Sequence, residues 1–409
     1  MHRSILVLAA VVSLAACRNS GAENTAVDPQ LARAIAQIKA IDHHAHPVRP
    51  VQAGETRDSD YDALPVETLA PTSDPVRMRT DAPHLTLAQR AVANVKGKPE
   101  ALLDLLGIEA MFANRVSMGP GLPASRFLWV PFDDTLMYPL DNTMLAANSD
   151  RQAFFEDEDQ LLKRYYADLG IAPRPAALEE YMSKVVRPTL ERQKQNGAVA
   201  IKFEMAYLRA FDIGDPSREE AEAAWRSGKS GKALQDFLFR FIAAEAGRLK
   251  LPIHLHTGEG GGGFFNIAGS NPYLLEPLLD DPAMRGTTFV MVHGGWPFAR
   301  EVAGLLQKPN VYADFSAQTL VNPPSEVVRD LHAWLVYEPE KVFFGTDAYP
   351  YAKEMGWEES GYLAANSGRE ALGRALTQMM RDGDVTRERA EEIARLVLRD
   401  NVRRVYGLK

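Results

Sequence analysis

The chain carries a single cysteine, Cys17, in 409 residues. That excludes a disulfide within the chain and any cysteine-based zinc site. Long apolar runs are also missing. The N-terminal apolar stretch, Ser4 to Ala16, is 13 residues, too short to span a bilayer as a permanent helix. There is no basic block, and the formal net charge is -8, which argues against nucleic acid as the main partner. The longest glycine run, Gly260 to Gly263, lacks the Lys-Ser/Thr of a phosphate loop.

What is present at the N-terminus reads as an address. Met1-His2-Arg3 is a short positive start, and the apolar stretch behind it makes a secretory signal. Leu14-Ala15-Ala16-Cys17 resembles the lipobox of bacterial lipoproteins, where cleavage falls before a cysteine that is then lipidated. The expected organisation is a leader over 1–16, a tether over 17–28 and one domain over 29–409. The expected location is the periplasmic face of the bacterial cell envelope, with Cys17 as the lipid anchor.

The rest of the chain reads as strands alternating with helices. Strand candidates lie near residues 41, 108, 127, 199, 253, 289, 311 and 343, with helical patterns between most of them. Eight such units predict an α/β fold, a parallel (β/α)8 TIM barrel with N-terminal loop insertions. Asp28-Pro29 reads as a helix start. Pro175 to Gln195 reads as a helix that Pro188 kinks or splits, and Arg387 to Tyr406 as a terminal helix. Residues 47–83 read as an irregular loop.

Ile41 to Pro47 reads as a strand ending in a His-x-His pair. Alternation along a strand puts His44 and His46 on one face and His43 on the other. Two neighbouring imidazoles suit a zinc-type ion. Chemistry in a barrel lies at the carboxyl ends of the strands, and further candidates fall there: Lys202, His254 and His256, His293, and Asp347. Six of the nine histidines sit at three strand ends.

His44-Ala45-His46, the strand-ending His256 and His293, and Gly345-Thr346-Asp347 resemble the amidohydrolase superfamily, in its amidohydrolase-2 branch. Ala200 to Arg209, His256-Thr257-Gly258 through Asn271-Pro272, His293 to Phe298 and Asn310 to Asp314 are similar to the amidohydrolase-like domains fused to glutamine synthetase. The resemblance implies metal ligands His44, His46, His256 and Asp347, with His293 close by. It implies a divalent cofactor, Zn2+ by the donor types: one ion, or two if Lys202 is carboxylated and bridges them. Otherwise Lys202 contacts substrate. Bound water loses its proton more readily on such an ion. Asp347 can accept that proton, and His293 can steady a developing oxyanion. Tyr207 and Arg209 follow the fourth strand and can grip a substrate carboxylate. The expected activity is metal-dependent hydrolysis of a C–N or ester bond in a small, carboxylate-bearing molecule. A decarboxylase or lyase of the same branch, and a non-catalytic envelope lipoprotein, are the competing readings.

Overall fold

A computed structural model describes residues 26–51 and 82–409, apart from residues 148, 173, 262, 264 and 353. The leader and Cys17 lie outside the described residues, as does most of the 47–83 loop.

Eight short parallel strands follow the expected order: β1 (Ala40–Ala45), β2 (Ile108–Asn114), β3 (Phe127–Val130), β4 (Ile201–Phe203), β5 (Ile253–His256), β6 (Phe289–Val292), β7 (Val311–Asp314) and β8 (Val342–Phe343). β3, β6 and β8 are apolar throughout, because both faces are covered. Ladders join β1 to β3 and β4 to β8 in sequence order. The seam between β3 and β4 is closed by Val199 N donating to Trp129 O and Lys202 N to Pro131 O. The seam between β8 and β1 is closed by His43 N to Phe344 O, Asp347 N to His44 O and His46 N to Ala348 O. Among the described strands no edge is left, and the chain forms the (β/α)8 barrel.

The barrel interior holds its own apolar layer. Ile41, Phe112, Val130, Ala200, Val290 and Phe343 meet Val402 of the terminal helix Asn401–Tyr406. That helix enters the floor of the barrel and brings Tyr406 with it. A larger core lies between the strands and the outer helices.

His43 and His44 do not simply take opposite faces. His43 is buried with Phe112 of β2, His254 of β5, Phe343 of β8 and Tyr406 around it. Partners from so many strands place it inside the barrel, one layer below His44. The cause is a register shift between Asp42 and Ala45 in the β1–β2 ladder, since a bulge lets successive residues share a face.

Pro188 does not split its helix either. A π turn over Met182–Val186 precedes the segment Arg187–Gln195. The widened turn absorbs the missing N–H at Pro188. Two long helices, Ser149–Asp168 and Trp357–Asp382, were not resolved individually by sequence pattern.

Candidate metal centre

The carboxyl ends of β1 and β8 meet through Asp42. Its Oδ1 accepts from Thr346 N (2.9 Å) and its Oδ2 from Thr346 Oγ1 (2.6 Å). This grip holds the turn after β8 in which Asp347 takes a left-handed backbone, φ 55°. His293, after β6, is also left-handed, φ 66°. Such conformations cost energy in non-glycine residues and cluster at functional sites. Gly345 is required by close approach: a Cβ there would stand 2.9 Å from Ser316 Cβ and 3.3 Å from His44 N.

The result is a triangle of donor atoms. His44 Nε2, His46 Nε2 and Asp347 Oδ1 are each 3.3 Å from the other two. In a tetrahedral site with bonds of about 2.0–2.1 Å, neighbouring ligand atoms stand about 3.3 Å apart. The residues therefore fit one divalent ion. Burial, then the charge of Lys202, lowers His44 to about 3. Burial lowers His256 to about 3 and His293 to about 4. All three imidazoles are thus uncharged at neutral pH, as metal ligation requires. Burial would raise Asp347, but His293, His44 and His46 hold it well below the usual carboxylate range. Its Oδ2 accepts from Tyr351 Oη at 3.0 Å.

Asn114 orients the first imidazole. Its Nδ2 donates to Ala45 O (3.0 Å) and lies 3.0 Å from His44 Nδ1. The tautomer that offers Nε2 to a cation carries its proton on Nδ1. Asn114 Nδ2 can only donate, so that tautomer requires the amide to turn and give up its bond to Ala45 O.

Three of the four expected ligands are brought together, and His256 is not among them. Its Nε2 lies 3.1 Å from Glu259 O and its Nδ1 3.3 Å from Glu204 Oε2. Both ring nitrogens face acceptors, and a neutral imidazole donates to only one of them. The ring still lines the same mouth, 4.6 Å from the His293 ring centroid. Lys202 is fully buried, with Nζ 2.8 Å from Glu204 Oε1 and 3.5 Å from His44 Nε2. Burial would raise Glu204, yet Lys202 and His256 hold it at about 2.

Tyr207 reaches the mouth, its ring centroid 4.6 Å from that of His256. With Phe265, Tyr349 and Tyr351 it gives the mouth aromatic walls. Arg209 does not join them. Its Nη1 meets Asp236 Oδ1 at 2.6 Å and Gln235 Oε1 at 3.1 Å, on the helix Lys232–Leu249. The guanidinium faces that helix because a buried acid awaits it there. Arg115 likewise ties its own loop, donating to Pro47 O and Ser117 O. Sequence reasoning gave no role to Asp42, Asn114, Glu204, Asp314, Ser316 or Tyr351. Asp42 lies in β1 beside the His-x-His pair and Asp314 ends β7, both next to recognised motifs, which is the signal that could have found them.

Comparison with known proteins agrees with this geometry. Protein fluG of Emericella nidulans is 31% identical over 184 residues, covering 43% of this chain and 20% of that protein. A protein from Lactobacillus casei described as a metal-dependent hydrolase superposes with TM-score 0.64 at 16% identity, over 92% of this chain and 97% of its own. Glucuronate isomerase from Caulobacter crescentus superposes with TM-score 0.60 at 14% identity, over 93% of each chain. At such identities these two structures speak for the fold. The sequence model of the amidohydrolase family matches residues 41–408, nearly the whole barrel with every donor of the triangle, and the chain belongs to that family.

Proposed function

We propose that the protein is a metal-dependent hydrolase that cleaves a C–N or ester bond of a small molecule, with Zn2+ as its cofactor. The observation that carries this reading is the triangle of His44, His46 and Asp347, its donor atoms 3.3 Å apart. A divalent ion held there would acidify a water molecule and polarise the bond under attack. Asp347 faces both imidazoles through Oδ1 and is the group placed to take the water's proton and return it to the leaving group. His293, its ring centroid 5.0 Å from that of His44, faces the same mouth and would steady negative charge on the substrate only once its Nε2 carries a proton. The aromatic walls exclude water and accept a flat, apolar substituent.

Arg209 and Lys202 are both paired, with Asp236 and with Glu204, so a carboxylate on the substrate would have to compete with Glu204 for Lys202. Lys202 also supports a single ion. Carboxylation would set a second anion beside Glu204, 2.8 Å away, where like charges disfavour each other.

The test has two parts. Metal analysis of the purified protein should give about one zinc-like ion per chain, and His44→Ala or Asp347→Asn should lose it. Mass spectrometry of products over N-acyl, lactone and carboxylated aromatic substrates should show water added across a bond. Release of carbon dioxide instead would turn the reading to a decarboxylase. Full activity after thorough chelation would end it. The lipid anchor is a separate proposal: Cys17→Ser should release the protein from membranes, and equal partitioning of both forms would refute it.

A further inference from the structure

His293 ends β6 and reaches the metal triangle, its ring centroid 5.0 Å from that of His44. What it can do there depends on which ring nitrogen carries the proton. The hydrogen bonds behind it answer this.

Asp314, at the end of β7, is fully buried. Its Oδ1 accepts from His293 N (2.9 Å), Ser316 N (3.0 Å) and Ser316 Oγ (2.6 Å). Its Oδ2 meets His43 Nδ1 at 2.8 Å. A carboxyl surrounded by so many donors is ionised. Ser316 therefore spends its only hydroxyl proton on Asp314. Its oxygen then has only lone pairs left for His293 Nδ1, which lies 2.9 Å away. That contact is a hydrogen bond only if Nδ1 carries the proton. The polarity of the array runs one way, from His293 through Ser316 to Asp314.

We infer that Ser316 and Asp314 are positioning residues that hold His293 in its Nδ1–H tautomer. The lone pair of Nε2 is thereby presented at the mouth, to a water, a substrate proton or the ion. This rests on the reading of the triangle as the reactive centre, and it deepens that reading: His293 acts as an acceptor, not as a donor, unless it first gains a proton. The continuation of the array agrees. A neutral His43 that gives its Nδ1 proton to Asp314 accepts at Nε2 from Tyr406 Oη, 2.7 Å away. Tyr406 can then accept only, and His254 Nε2, 2.6 Å away, donates to it. That leaves a bare lone pair on His254 Nδ1, which is indeed buried without a partner. Donation thus runs from His293 through Ser316 and from His254 through Tyr406 and His43, and both runs end on Asp314.

The experiment is nitrogen NMR of the full-length protein labelled with 15N at histidine, with and without zinc. Two-bond proton–nitrogen spectra identify the tautomer of each imidazole, and His293→Gln assigns the signal. In wild type, His293 should be the Nδ1–H form even in the metal-free sample. In Ser316→Ala that single species should be lost in the metal-free protein, in favour of the Nε2–H form or a mixture. Ser316→Gly removes the same hydroxyl and should behave alike if the alanine variant is unstable. An Nε2–H His293 in metal-free wild type overturns the inference, as does a tautomer that neither substitution changes. The spectra need no substrate, so they decide this point even if no hydrolysis is found.

Discussion

Arg209 shows how a side chain's chemistry can be read correctly and its address wrongly. An arginine just past β4 suits a substrate carboxylate, but Asp236, only 4% exposed, claims it first. Arg209→Ala should therefore act on stability. Asp236 keeps Lys232 Nζ and Gly214 N as partners, so the cost should be on the order of 1–3 kcal/mol. Thermal melts check this, and a variant that is as stable as wild type but impaired in turnover would return Arg209 to the mouth. Asp133 offers a second residue-scale prediction. Burial raises its carboxyl from 3.8 to about 7, although Gln193 Nε2 donates to it. Between those pH values the folded protein keeps a proton that the unfolded chain releases, so this group's contribution falls as pH rises through the window. Asp133→Asn lacks that dependence. Relative to wild type it should gain stability from pH 4 to pH 7, by on the order of a few kcal/mol. A pH-independent difference between the two, measured by denaturant unfolding, would contradict the assignment.

At the scale of elements, the N-terminal helix Pro29–Gln37 is held at its start by one residue. Asp28 Oδ1 accepts from Gln30 N and Leu31 N, both at 3.0 Å, while Arg387 bonds both carboxylate oxygens. Asp28→Ala should cost about 0.5–2 kcal/mol, and Asp28→Asn, which keeps the cap and loses the charge, should cost less. The cap was legible because Asp-Pro before an apolar periodicity has one common meaning. The eight strands were legible for a similar reason: Phe289 to Val292 is apolar throughout, and nothing but burial on both faces explains such a run. The helix Ser149–Asp168 was not legible, since its acidic and basic residues leave a weak apolar face. The helix Trp357–Asp382 packs closely through small residues such as Gly361, Ala364 and Gly368, which carry little hydrophobic signal. His44, His46 and Asp347 could be placed from sequence because strand ends converge in a barrel. The inward turn of His43 could not, because a bulge leaves no mark on a period of two. The capture of His256 by Glu204 depends on a long-range meeting of β4 and β5 side chains that spacing along the chain does not encode.

The whole molecule is layered along the barrel axis. The donor triangle lies at the top, the array of His43, Asp314, His254 and Tyr406 beneath it, and the apolar layer with Val402 at the floor. The top layer is the proposed reactive centre and the lower two contribute stability, so the two should come apart in experiment. Chelation removes only what binds the native state, and its effect on the melting temperature should track the free metal concentration by mass action. The barrel should remain folded, as read by circular dichroism at 25 °C. Tyr406→Phe acts from the other end. It deletes the hydroxyl shared by two buried imidazoles, 2.7 Å from His43 Nε2 and 2.6 Å from His254 Nε2. The ring still fills its place between Phe112 and Phe343, so the loss is polar: on the order of 1–3 kcal/mol for groups left unpaired. The melting temperature should fall in the variant while bound zinc stays at the wild-type level, because no triangle atom touches Tyr406. Should zinc content drop together with stability, the floor and the mouth would be one cooperative unit and the layered description would be wrong.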